Sequence, residues 1–126
     1  MKKEELRVGN YVFNQLRLNL KKITDIREKM CSIYYLRSDT GTYHTSMVDY
    51  TVLVPIPLTE EWLLKFGAKK VDEYWFSFHS YGIIKHNTFI ELYSGVKGDY
   101  ICNSVKYVHQ LQNLYFALTN ENLTIV

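Results

Sequence analysis

The sequence predicts an α+β domain that is mostly β-sheet. The 126-residue chain contains 11 Tyr, 6 Phe and 2 Trp, and flat aromatic side chains pack well on a pleated sheet. Apolar residues alternate along several short segments, and two further segments carry them at helical spacing. The length suits one domain. Pro55 and Pro57 end strand pairing, so we expect halves at residues 1–57 and 58–126 that share one compact unit.

The first half reads as five short strands separated by turn signals. We expect strands at residues 8–13, 18–26, 30–36, 42–45 and 51–54, with one helical turn at 46–50. Gly9-Asn10 and the segment 39–41 supply the turn chemistry. Five short strands with a one-turn helix before the last are typical of an SH3-like barrel. The sequence therefore predicts an N-terminal SH3-like five-stranded barrel.

The second half begins with a helix, and capping residues predict both of its ends. Thr59 can cap a helix at 58–67, Glu60 and Glu61 suit its first turn, and Gly67 can end it. Strands of an antiparallel sheet follow at 74–79, 83–84, 88–93 and 100–102, with a loop at 94–99. A second helix is expected at 105–118, packed on this sheet, and a last strand at 123–126. The fold class is thus a barrel, a helix, an antiparallel sheet and a second packed helix.

Charge offers one candidate nucleic-acid surface. The net charge is only +2, which does not by itself indicate a polyanionic partner. A local basic excess lies within residues 17–29, and exposed tyrosines could stack on bases. The cations are Arg17, Lys21, Lys22, Arg27 and Lys29, and the tyrosines are Tyr34, Tyr35, Tyr43 and Tyr50. The other interpretation is a solvated strand pair whose tyrosines are half in the core.

No catalytic or metal-binding pattern stands out. The two cysteines, Cys31 and Cys102, are not in a CxxC pair, and we interpret them as reduced thiols of the core. No two histidines have the spacing of metal ligands on a helix, although His79 and His86 could face each other across a turn at 81–82. We predict no cofactor and no metal. The charged start and the lack of a long apolar run predict a cytoplasmic protein without a membrane span.

The back of the second helix is the leading candidate for a binding surface. His109, Gln112, Asn113 and Phe116 share this face, which is neither charged nor fully apolar. Amide-rich faces with an aromatic residue suit protein contacts. We therefore expect a non-enzymatic interaction module that binds an unknown protein partner or a second copy. The alternative is that this face packs inside the same domain.

Three segments resemble a family of uncharacterised small proteins from gut anaerobic bacteria, their phages and mobile elements. They are residues 6–12 (LRVGNYV), 55–67 (PIPLTEEWLLKFG) and 107–119 (YVHQLQNLYFALT). The resemblance implies a bacterial, cytosolic setting and an accessory role in a phage or mobile element. It implies no catalytic residue. The chain departs from the family at Asn120, where Gly is expected, and Asn tolerates the same left-handed backbone.

Overall fold

A computed structural model describes residues 1–15, 17–37 and 39–126, and it describes the backbone but not the side chains of Arg17 and Leu18. The chain forms two compact units. The first contains Met1–Ile56 and Val108–Asn122, and the second contains Pro57–Tyr107 and Leu123–Val126. The boundary after Ile56 falls at the pair of prolines, where backbone donors for strand pairing are missing.

Ten strands and two helices make up the described chain. The strands of the first unit are β1 (Tyr11–Asn14), β2 (Arg17–Ile26), β3 (Met30–Leu36), β4 (Tyr43–Asp49) and β5 (Leu53–Val54). The second unit contains α1 (Glu60–Lys65), β6 (Lys69–Lys70), β7 (Trp75–Phe78), β8 (Tyr81–Lys85), β9 (Ile90–Tyr93) and β10 (Tyr100–Val105). Helix α2 (Val108–Thr119) belongs to the first unit.

The sheet of the first unit is antiparallel, with strand order β4-β3-β2-β1-β5. Side chains alternate between its two faces. The inner face carries the buried core of this unit, which comprises Leu6, Val12, Ile23, Cys31, Ile33, Tyr50 and Leu53. The outer face leaves several large side chains exposed on β3 and β4, among them Tyr34, Leu36, Tyr43 and Met47.

Helix α2 is built into the first unit by amide hydrogen bonds. The Gln112 side chain accepts from the Tyr11 backbone N–H at 2.8 Å and donates to the Gly9 carbonyl at 2.9 Å. Its apolar residues Val108, Leu111 and Tyr115 are buried. The sequence placed this helix on the sheet of the C-terminal half. In the structure it belongs to the first unit, where its amides satisfy backbone groups of residues 5–11.

The second unit has its own antiparallel sheet, with order β10-β9-β8-β7-β6. The predicted helix ends are confirmed for α1. The Thr59 hydroxyl accepts the Trp62 backbone N–H at 3.3 Å, and Gly67 takes a left-handed φ of 93°. The buried apolar side chains of this unit include Leu58, Trp62, Leu63, Phe66, Phe76, Phe78, Ile83, Ile90 and Leu92.

The structure confirms the α+β class and corrects several details. Among the described residues both sheets are open, so a closed SH3-like barrel is not confirmed. The segment 46–50, expected as a helical turn, continues β4 to Asp49, and a 3-10 turn follows at Tyr50–Val52. Residues 123–126 form no strand. Asn120 does adopt a left-handed φ of 60° after α2.

No helix in the described part of the chain is both long enough and apolar enough to cross a membrane.

Candidate ligand-binding pocket

A pocket of about 350 Å³ opens on the inner face of the first sheet. Strands β1 to β4 contribute to it, because their inward side chains become polar beyond the end of the apolar core. It is lined by Asn14, Lys21, Ile33, Tyr35, Arg37, Ser46 and Val48. These lining residues include two cations and no carboxylate.

Lys21 is the most unusual residue of the pocket. It pairs with Val12 of β1 in the ladder, which directs its side chain inward, and only 2% of the residue is exposed. Its ammonium group donates a hydrogen bond to the Asn19 side-chain oxygen and lies 4.6 Å from the centre of the Tyr35 ring. A buried ammonium has lost much of its hydration, so an anion that enters the pocket gains a strong partner.

Arg37 follows β3 and supplies the second positive charge. Its Nε and Nη2 atoms donate to the Asp39 carboxylate at 3.1 and 2.6 Å. This hydrogen bonding lowers the pKa of the exposed Asp39 carboxyl. A guanidinium has five N–H donors, so two bonds to Asp39 leave capacity for a second acceptor. With Asp39 counted, the charges at the pocket sum to about +1.

The rest of the pocket offers hydroxyl groups and an apolar floor. The Tyr35 and Ser46 hydroxyls are 3.0 Å apart and share one hydrogen bond. Ile33 and Val48 contribute hydrocarbon surface. His44 lies beside Tyr35, with ring centroids 6.4 Å apart, and its Nε2 atom is 2.9 Å from the Thr42 hydroxyl. Together these groups can hold an anionic head and an apolar portion of one small molecule.

The predicted interaction face of α2 is occupied from within the first unit. Asn113 accepts a hydrogen bond from the Asn10 side chain at 2.9 Å and donates to the Glu5 carbonyl at 2.8 Å. The Arg7 guanidinium lies 3.4 Å from the centre of the Phe116 ring. Together with the two bonds of Gln112, these contacts use the side chains that we expected to meet a partner. The intramolecular alternative accounts for these contacts, whereas partner binding at the half-exposed Asn113 and Phe116 stays a prediction.

His109 is part of the same internal contact. It is 2% exposed, and its Nε2 atom lies 3.9 Å from the Glu5 carboxylate. Burial lowers the pKa of His109, and the nearby carboxylate opposes that effect only in part. Burial therefore favours the neutral form of His109 within this contact.

The predicted basic segment does not present one surface. Lys21 points into the pocket, whereas its neighbour Lys22 pairs with Tyr34 on the opposite face of the sheet. Arg27 forms an exposed ion pair with Asp25 at 2.8 Å. Lys29 is exposed in the turn between β2 and β3, and the side chain of Arg17 lies outside the described residues. Alternation of side chains along β2 separates the cations that the sequence places side by side.

Other candidate groups are also dispersed. Cys31 is in the core of the first unit, and burial raises the pKa of its thiol. His79 sits at the turn between β7 and β8, and His86 follows the far end of β8, so the two do not face each other. In the described parts of the chain no three His, Cys, Asp or Glu side chains converge as metal ligands would.

Sequence reasoning missed the pocket because it grouped residues by proximity along the chain. The available signal was alternation: Lys21 and Ile23 share a face of β2, as Ile33 and Tyr35 do on β3. The register that joins these faces shifts once between β1 and β2 and once between β2 and β3. Such bulges cannot be placed from one sequence.

No family model, curated protein or solved structure matches this chain, so the geometry of the pocket carries the functional argument.

Proposed function

We propose that this protein is a non-enzymatic module that binds a small organic anion in the pocket of its first sheet. The observation that carries the proposal is the convergence of a buried Lys21 and of Arg37 on one pocket whose lining contains no carboxylate. A buried cation costs free energy in the unliganded protein. A bound anion offsets that cost, which gives the pocket its selectivity for negative charge.

The lining groups define the chemistry of the ligand. The ammonium of Lys21 acts as a point charge, whereas the planar fork of Arg37 suits the two oxygens of a carboxylate or phosphate. The apolar floor at Ile33 and Val48 favours a ligand with a hydrocarbon or aromatic portion. A pocket of about 350 Å³ is at the small end of the usual range for metabolite sites. The ligand class is therefore a small carboxylic acid or phosphate ester.

The same groups support binding rather than turnover. The Ser46 hydroxyl is bonded to the Tyr35 hydroxyl, not to a base that could activate it. The His44 imidazole lies against the Thr42 hydroxyl. A nucleophile needs an adjacent base with a further group that orients it, and the pocket lining does not supply that set.

This proposal keeps the non-enzymatic character expected from the sequence and moves the site from α2 to the first sheet. An accessory role in a phage or mobile element, which the family resemblance implies, would then depend on recognition of a small anion. Nucleic acid remains the other hypothesis. Its support is the exposed, stacked pair Tyr34 and Tyr43, whose ring centroids are 5.0 Å apart, beside Lys22.

Calorimetric titration tests the proposal with inorganic phosphate, benzoate and a nucleoside monophosphate as ligands. Lys21→Met and Arg37→Met should each weaken binding about 10- to 100-fold, the usual value of one charge-assisted hydrogen bond. Lys22→Met is the matched control, since the same charge is removed from the other face of the sheet, and it should leave affinity unchanged.

Two outcomes would count against the pocket. Equal loss of affinity in Lys21→Met and Lys22→Met would mean that only net charge matters. Binding of a single-stranded oligonucleotide that Lys22→Met weakens and Lys21→Met does not would favour the nucleic-acid hypothesis instead.

A further inference from the structure

Strand β4 is a long and regular edge of the first sheet in the described part of the chain. The described sheets end at four strands: β4, β5, β6 and β10. Strands β5 and β6 have two residues each, and the pairing of β10 with β9 shifts register twice. Strand β4 pairs with β3 over seven consecutive residues with no shift. Natural edges are commonly shortened, bulged, or marked with Lys or Pro, and β4 has none of these features.

The outward backbone groups of β4 can be assigned from the hairpin. The Arg37 N–H donates to the Thr42 carbonyl at 2.9 Å, so this pair is hydrogen-bonded. Hydrogen-bonded and non-hydrogen-bonded pairs alternate in an antiparallel ladder. Residues 44, 46 and 48 therefore bond to β3. Residues 43, 45 and 47 direct their N–H and C=O groups toward the open edge, and Asp49 directs only its N–H there, because its C=O accepts the first bond of the 3-10 turn at Tyr50–Val52.

The side chains of β4 suit an extended partner. Tyr43 is 62% exposed and Met47 is 45% exposed, and both lie with Thr45 on the outer face. Asp49 is the one charged residue of this strand, at its C-terminal end. The strand is thus apolar or neutral along six of its seven residues, and nothing charged along those six residues repels a second strand.

We propose that β4 pairs antiparallel with β4 of a second copy of this chain, which joins the two first sheets into one. A two-fold axis at Ser46 places Thr45 opposite Met47 of the second copy and Tyr43 opposite Asp49. This register pairs all seven residues and forms up to about six backbone hydrogen bonds, because the Asp49 carbonyl of each copy is already used in its own 3-10 turn. The two Asp49 carboxylates are then about 20 Å apart, since six residues of strand separate them, so like charges do not meet.

A second copy is favoured over an unrelated peptide because this register is self-complementary. Outward groups meet outward groups on both strands, and the single charge of each strand faces a neutral tyrosine. Strand β4 also supplies Ser46 and Val48 to the pocket, so the second copy would lie beside the pocket wall. The inference does not depend on the ligand proposal, because the edge exists whatever the pocket binds.

Light scattering and sedimentation equilibrium of the full chain test the pairing. The wild-type protein should be a dimer whose dissociation constant rises at least tenfold in Thr45→Pro, which removes an outward N–H and no bond to β3. Met47→Lys should act in the same way by adding edge charge. Leu64→Lys is the matched control, because Leu64 has a similar exposure of 49% on α1, and it should not change the dimer.

A cross-link tests the register separately. Ser46 would face Ser46 of the second copy as a non-hydrogen-bonded pair, with Cα atoms about 4.5 Å apart, within the span of a disulfide. Ser46→Cys should therefore form an interchain disulfide under mild oxidation, and Leu64→Cys should not. A wild-type protein that is monomeric at millimolar concentration, or a dimer that Ser46→Cys fails to cross-link, overturns the proposal.

Discussion

Replacement of Lys21 by Met should stabilise the ligand-free first unit. Lys21 is 2% exposed, and an ammonium group in a protein interior costs several kcal/mol in lost hydration. The hydrogen bond to Asn19 and the contact with the Tyr35 ring return part of that cost. Met fills a similar space without a charge. We expect a gain of about 1–2 kcal/mol in the free energy of unfolding.

The assay must report on the first unit alone. Trp62 and Trp75 are both in the second unit, so tryptophan fluorescence does not follow the first. Cys31 lies in the core of the first unit, and Cys102 lies in the second. Alkylation pulses across a urea series, with the two cysteines resolved by peptide mass spectrometry, therefore give a separate transition for each unit.

The control is the neighbouring residue on the other face. Lys22→Met removes the same charge from a half-buried position opposite Tyr34 and should change stability by less than about 0.5 kcal/mol. The Cys102 transition should not move in either variant. If Lys21→Met lowers the free energy of unfolding by about 2 kcal/mol or more, the ammonium is a structural partner within the fold. That result would refute a ligand-binding role for the Lys21 ammonium.

Two further predictions concern residues outside the pocket. Burial lowers the pKa of His109, so the unfolded chain takes up a proton before the folded chain does as the pH falls. The contribution of His109 to stability should be complete above about pH 6.5 and should decrease below it, toward the folded-state pKa. Thermal unfolding of His109→Gln should therefore show a flatter pH profile than the wild type, and an unchanged profile would contradict this role. A Cβ atom at Gly82 would lie 2.4 Å from the Gly95 carbonyl oxygen, so Gly82→Ala should destabilise the second unit by about 1–3 kcal/mol. Gly95→Ala is the control, because a Cβ atom at Gly95 would be 4.0 Å from its nearest neighbour, the Ser80 carbonyl oxygen. Equal destabilisation by the two variants in urea unfolding followed by tryptophan fluorescence would reject the steric explanation.

The sequence determined the features that depend on near neighbours in the chain. The Thr59 cap and the Gly67 end of α1 are local hydrogen-bonding and φ requirements, so they could be predicted and are confirmed. The loop at 94–99 and the α+β class follow from turn residues and from the periodicity of apolar residues. The open form of the first sheet could not be predicted, because strand number does not decide whether end strands meet.

Tertiary structure alone decided which sequence features act together. The amides of Gln112 and Asn113 look like a free surface in the sequence, yet they satisfy backbone groups of residues 5–9 and the N–H of Tyr11, about a hundred positions away. Lys21 and Lys22 are equivalent in the sequence, but the sheet places one in a pocket and the other outside. For the lysines the reason is that a one-residue change of register reverses every side chain of a strand. For the amides it is that their backbone partners are distant in the sequence. In both cases the outcome is set by contacts between segments that no local pattern records.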